Sequence, residues 1–131
     1  MKTLLPPGWP RPKGYANGIS ATGRMIFTAG VVGWNEQEFF PSHRLHEQFA
    51  QALKNILAIL AEDGAGPEHL VRMTVYVIDR DDYVSSRDEI GAAWKSIIGS
   101  HYPAMALVEV SQLVESAALV EIEATAVVPD G

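Results

Sequence analysis

Two short runs constrain this chain most: Tyr102-Pro103-Ala104-Met105-Ala106-Leu107-Val108-Glu109-Val110 and Val120-Glu121-Ile122-Glu123-Ala124-Thr125-Ala126-Val127. Both predict strands, and both set acidic groups among apolar ones. By the period-two rule Met105, Leu107 and Glu109 share one face of the first strand, and Glu121 and Glu123 share a face of the second. A carboxylate in such an apolar strand is costly to bury unless something pairs with it or uses it.

The rest of the chain supplies partners for these strands. Asn17 to Ala21 and Met25 to Val32 predict two more strands, with Thr22-Gly23 as the tight turn of a hairpin. Gly30 and Gly33 predict a bulge or a close backbone approach. Ser42 predicts the N-cap of a helix over 43–62, on which Leu45, Phe49, Leu53, Ile56 and Leu60 draw one apolar stripe. Gly64 ends it. Leu70 to Ile78 alternates as a strand, with Val71, Met73, Val75 and Val77 on one face and Arg72, Thr74 and Tyr76 on the other. A second helix is predicted over 83–98, its stripe made by Ile90, Trp94, Ile97 and Ile98. The last two strands span 104–110 and 117–128.

This order, β-β-α-β-α-β-β, predicts an α+β fold: a single mixed or antiparallel sheet with both helices packed on one face, in one domain over residues 1–131. The other sheet face then needs cover, so self-association is expected. The segment from Pro6 to Lys13 is proline-rich and extended.

Composition narrows the chemistry. There are no cysteines, which excludes disulfides, thiolate zinc sites and cysteine nucleophiles. The net charge of −6 and the scatter of the basic residues argue against a nucleic-acid partner. No run approaches the roughly 20 apolar residues of a membrane span, and Pro6 and Pro7 interrupt any signal-peptide core. A cytoplasmic location is expected. His43, His46, His69 and His101 show no zinc-ligand spacing with a second ligand class, and no phosphate-binding or nucleophile-elbow motif occurs. No metal and no cofactor is expected.

Several segments in order resemble the RidA/YjgF family, the reactive intermediate deaminases long described as L-PSP endoribonucleases. They are Lys13-Gly14-Tyr15-Ala16-Asn17-Gly18, Phe27-Thr28-Ala29-Gly30-Val31, Gln48 with Ala52, Leu53, Asn55 and Ile56, Leu70 to Val77, and Glu121-Ile122-Glu123-Ala124. The resemblance covers nearly the whole chain. It implies a chorismate-mutase-like fold, a homotrimer and ligand sites in the clefts between subunits. It also implies a reaction in which water attacks an imine or enamine and ammonia leaves. The family's Pro-x-Arg-x-x-x-x-Val segment carries the arginine that clamps the substrate carboxylate, and Met105 stands at that position. A thioether carries no charge, whereas a guanidinium grips a carboxylate through two charge-assisted bonds. Activity on 2-iminopropionate-like substrates is therefore expected to be weak or absent.

The candidate site follows. By the resemblance Glu121 is the catalytic group that places or deprotonates water; its plain alternative is a structural carboxylate held by backbone amides or a neighbouring subunit. Tyr15 is a candidate to stack on the ligand or to donate a hydrogen bond. Met105 and Leu107 make a candidate apolar wall, and Trp34 another. His101 is a candidate proton donor. Two functions fit: a diverged imine or enamine deaminase with a small-molecule substrate, or a non-catalytic metabolite-binding protein on the same trimeric scaffold.

Overall fold

The computed structural model describes residues 1–130. Helix α1 (Leu45–Ala61) forms on the apolar stripe, and Leu53, Ile56 and Leu60 are completely buried by it. The helix starts later than Ser42 indicates, with Arg44 as its N-cap. The Ser42 hydroxyl accepts from the Arg44 N–H at 3.0 Å and donates to Glu47 at 2.7 Å. The serine thus shapes the approach to the helix instead of capping it.

The central strand is β5 (Leu70–Val77). It runs parallel to β6 (Ala104–Glu109) and antiparallel to β7 (Val120–Val128). Strand β7 also pairs with β3 (Arg24–Phe27) and β4 (Val31–Val32), which completes a mixed five-stranded sheet. The expected hairpin does not form. Instead β2 (Gly18–Ser20) pairs with β1 (Lys2–Leu4) in a separate two-stranded ribbon. Gly23 explains the switch: its φ is 145°, and any Cβ there would collide with the Val128 carbonyl. The turn therefore presses against the end of β7 and feeds β3 into a long-range pairing.

The expected strand over 25–32 is broken in two. Phe27 pairs with Thr125 but Val31 pairs with Ile122, so four steps along one strand face three along the other. That extra residue makes a bulge at 28–30. Thr28 bridges it, donating its N–H to the Ala124 carbonyl and accepting the Ala124 N–H at its hydroxyl.

The expected second helix is also divided, into α2 (Arg80–Ser85) and α3 (Arg87–Ile97), with Ser86 at the break. Asp79 caps α2 through the N–H groups of Asp81 and Asp82. Glu109 accepts the Arg80 N–H at 2.8 Å, so this strand-end acid is a helix cap.

The helices cover one sheet face. Met73, Val75 and Val77 of β5 and Val120, Ile122, Ala124 and Ala126 of β7 meet α1 and the Ile90 and Trp94 side chains of α3 there. The opposite face is bare, and Met25 and Phe27 on β3 stand 57% and 66% exposed. Among the described residues no helix is long and apolar enough to cross a membrane.

One buried polar side chain ties these parts together. Gln48 on α1 is 1% exposed. It donates to the carbonyls of Ser42 and Ala117, both at 2.9 Å, and accepts the Leu119 N–H at 2.8 Å. Gln48→Leu strips partners from three part-buried backbone groups, the Ser42 and Ala117 carbonyls and the Leu119 N–H. Each orphaned group costs about 1–3 kcal/mol, so urea unfolding is predicted to show a loss of about 3 kcal/mol or more. The exposed Lys54→Ala control is predicted to stay within about 0.5 kcal/mol of the native protein.

Candidate functional site

The bare face of the sheet carries the acids. Val120, Ile122, Ala124 and Ala126 belong to the core, so the alternate residues Glu121, Glu123 and Thr125 point away from the helices. Arg72, Thr74 and Tyr76 join them from β5, each directly beside its β7 partner: Thr125, Glu123 and Glu121 respectively. Phe27, Arg72, Thr74, Glu123 and Thr125 border a shallow cleft of about 240 Å³.

Glu121 lies between Val32 of β4 and Tyr76 of β5. Its carboxylate passes over Gly30, where a Cβ would strike Oε2. The bulge and the absent side chain together make the room that Glu121 occupies. Gly33 serves a similar purpose nearby, since a Cβ there would run into the Gln48 backbone. Between these two glycines β4 comes tight against α1. Asn55 on α1 then donates to the carbonyls of Val32 and Trp34, at 3.0 and 2.8 Å. Trp34 is thereby held just beyond the strand that pairs with Glu121, its ring 5.8 Å from that of Phe40.

Tyr76 donates its hydroxyl proton to Glu123 at 2.8 Å. Its pKa is pushed above the ordinary phenol value of 10.0, first by that hydrogen bond, then by loss of water, then by the charges of Glu123 and Glu121. Both Glu123 and Tyr76 are thus occupied with each other.

The other predicted residues lie elsewhere. Tyr15 precedes Ala16, whose N–H donates to the Pro103 carbonyl at 2.9 Å and which bridges to Ala104 in parallel. Tyr15 therefore sits at the start of β6. Met105 and Leu107 pair with Met73 and Val75 and so face the helix side, partly buried against the core. They are on the opposite face of the sheet from Glu121. His101 is next to this end: its Nε2 lies 2.6 Å from the Leu70 carbonyl, and its own carbonyl accepts the Trp94 indole N–H. Tyr15, Arg11, His101 and Tyr102 border a cleft of about 500 Å³ with Leu4 of the ribbon and Leu5 just beyond it.

The candidate residues thus fall into two separate groups in the chain. Ala104 neighbours Arg72, and Glu121 neighbours Tyr76 on the other side of β5. They are roughly 13 Å apart along the strands and about 10 Å apart across the sheet. Glu121 and Trp34 form one group, Tyr15 and Met105 the other. His43 and His46 border a third cleft with Asp82 and Glu89, but no group of three potential metal ligands gathers among the described residues.

Sequence reasoning assigned no role to Gln48 or Asn55. The signal that was available is their type: amides set within an apolar helical stripe signal buried hydrogen bonds.

The profile of the endoribonuclease L-PSP family matches residues 10–128. The chain therefore belongs to this family, known also as RidA/YjgF, and its α+β architecture is the family's chorismate-mutase-like fold. It is 32% identical to a RutC family protein of Synechocystis over 98% of both chains. It is 29% identical to TdcF of Escherichia coli, whose name is that of a reactive intermediate deaminase, over 97% of this chain and 95% of that one. The crystal structure of the Rid protein YyfB from Yersinia pestis superposes with a TM-score of 0.84 at 27% identity, covering 97% and 98% of the two chains. Escherichia coli TdcF with bound serine superposes with a TM-score of 0.71 at 25% identity, covering 98% and 100%.

The Tyr76 environment makes a pH prediction. The phenol's folded-state pKa is raised, so its contribution to stability is complete below the ordinary phenol range and is lost as pH climbs through the raised value. An alkaline titration followed by phenolate absorbance is predicted to show two tyrosines ionising late, Tyr76 and Tyr83, the second raised by its burial. Glu123→Gln removes the charged acceptor and is predicted to return Tyr76 alone toward the ordinary range.

Proposed function

We propose that the protein is a diverged deaminase of a small imine or enamine, working at clefts between copies of the chain in a homotrimer. The observation that carries this reading is the division of the site. Glu121 and Trp34 stand at one end of the sheet, Tyr15 and Met105 at the other, too far apart in one copy to hold one small molecule. The bare face with Met25 and Phe27 is the surface such an assembly covers. The free edge of β6, bridged beyond β5 only through Ala16 at its start, is a second surface that needs a neighbour. The deaminase name of TdcF and its serine-bound structure support a small amino-acid-like ligand.

In this reading a water molecule adds to the C=N carbon while Glu121 accepts its proton. The proton passes on to nitrogen to give a carbinolamine, whose hydroxyl then gives up its own proton to the nitrogen as the C–N bond breaks, so ammonia leaves and a carbonyl replaces the imine. Tyr15 and Trp34 bound the substrate, and Met105 and Leu107 shape the apolar surroundings of β6. The protein acts in the cytoplasm on metabolites and takes no cofactor.

A second reading, metabolite binding without turnover, is favoured by one observation. Met105 packs toward the core and offers no charge to a carboxylate.

An ammonia-release assay on freshly generated 2-iminopropionate and on 2-aminomuconate separates the two. The deaminase reading predicts release from at least one of them, with 2-iminopropionate the poorer. Glu121→Gln is predicted to lower the rate about 100-fold or more, the scale of a lost general base. Met105→Arg is predicted to raise the rate on 2-iminopropionate. No release from either substrate by the native protein supports binding alone.

A further inference from the structure

The cleft of about 500 Å³ beside Tyr15 has a one-sided charge. The chain carries a net charge of −6, yet among the described residues no Asp or Glu borders this cleft. One full cation does: Arg11, which is exposed and takes part in no ion pair among the described residues. Around it Leu4, Leu5, Tyr15 and Tyr102 offer apolar and aromatic surface, and Thr3 and Ser100 add hydroxyl groups. His101 also borders the cleft, but its Nε2 is engaged with the Leu70 carbonyl at 2.6 Å.

The backbone of Arg11 is also restricted by its neighbours. Pro10 and Pro12 flank it. Pro12 restricts Arg11 to extended backbone, and each ring fixes its own φ. Less backbone freedom is lost when a ligand binds, which favours affinity. The ribbon β1–β2 carries Leu4 and Leu5 to the same cleft, so the N-terminal segment builds much of this wall.

We propose that this cleft binds a small carboxylate with an apolar or aromatic body, and that Arg11 is the group that grips it. The guanidinium presents a planar fork that matches two carboxylate oxygens. Leu4, Leu5 and Tyr15 take the apolar body. The proposal deepens the deaminase reading, because it rests on Tyr15 as a ligand-binding residue and names the cation that Met105 does not supply.

Calorimetric titration with benzoate, and with benzamide as its neutral counterpart, tests this. Native protein is predicted to bind benzoate about tenfold or more tightly than benzamide, the scale of a charge-assisted hydrogen bond. Arg11→Gln is predicted to erase that preference, and Arg11→Lys to retain part of it. Neither exposed substitution removes a contact the fold uses, and a thermal melt checks this. Absence of a preference in the native protein, or a preference that survives Arg11→Gln, overturns the assignment. The two readings fail separately. Arg11-dependent benzoate binding without ammonia release overturns only the deaminase reading. Ammonia release that is indifferent to Arg11→Gln overturns only the role of Arg11.

Discussion

Two amide side chains on one helix decide where the Glu121 end of this protein sits. Gln48 grips the Ser42 carbonyl and both ends of the Ala117–Leu119 turn that leads into β7. Asn55, two turns further along, grips the Val32 and Trp34 carbonyls that end β4. Strand β4 pairs with β7 at Ile122 and Glu121. The helix therefore locates both strands that frame Glu121, and it does so with part-buried hydrogen bonds. A buried donor or acceptor left alone is expensive, so these bonds act more as constraints on geometry than as sources of net stability.

The glycines complete that frame. Gly33 lets β4 approach the α1 backbone, and Gly30 leaves a gap into which the Glu121 carboxylate extends. The bulge at Thr28 to Gly30 shifts the register and turns the strand away from β3. Glu121 consequently extends over the Gly30 backbone, while Glu123 two residues on is consumed by Tyr76. Two acids on the same strand face have acquired different environments. One is a structural partner, and the other remains available.

Much of this was legible in the sequence, for reasons that can be named. The stripe Leu45, Phe49, Leu53, Ile56 and Leu60 reveals α1 because period 3.6 admits few other readings, and the alternation of Leu70 to Val77 reveals β5 as clearly. The close approaches at Gly30 and Gly33 were expected from glycine in an apolar strand. Pairing was not legible. Thr22-Gly23 has the look of a hairpin turn, but what decides its path is the Val128 carbonyl, over a hundred residues away in sequence. The split of the 25–32 strand was legible only as the bulge that Gly30 suggested, because an apolar run has no period to interrupt. Arg11 was overlooked because the cleft that gives it significance is made by the ribbon, and Lys2 to Leu4 is too short to announce a strand.

The division of the site between Tyr15 and Glu121 is the central claim, and a mixing experiment tests it most directly. Tyr15→Ala and Glu121→Gln are each made inactive, then denatured together, refolded and assayed for ammonia release against each variant alone. A site shared between copies predicts that the mixture regains part of the native rate, because some clefts receive an intact Tyr15 from one copy and an intact Glu121 from another. A mixture as inactive as its components, beside an active native control taken through the same refolding, would contradict the shared site and place all the chemistry within one chain.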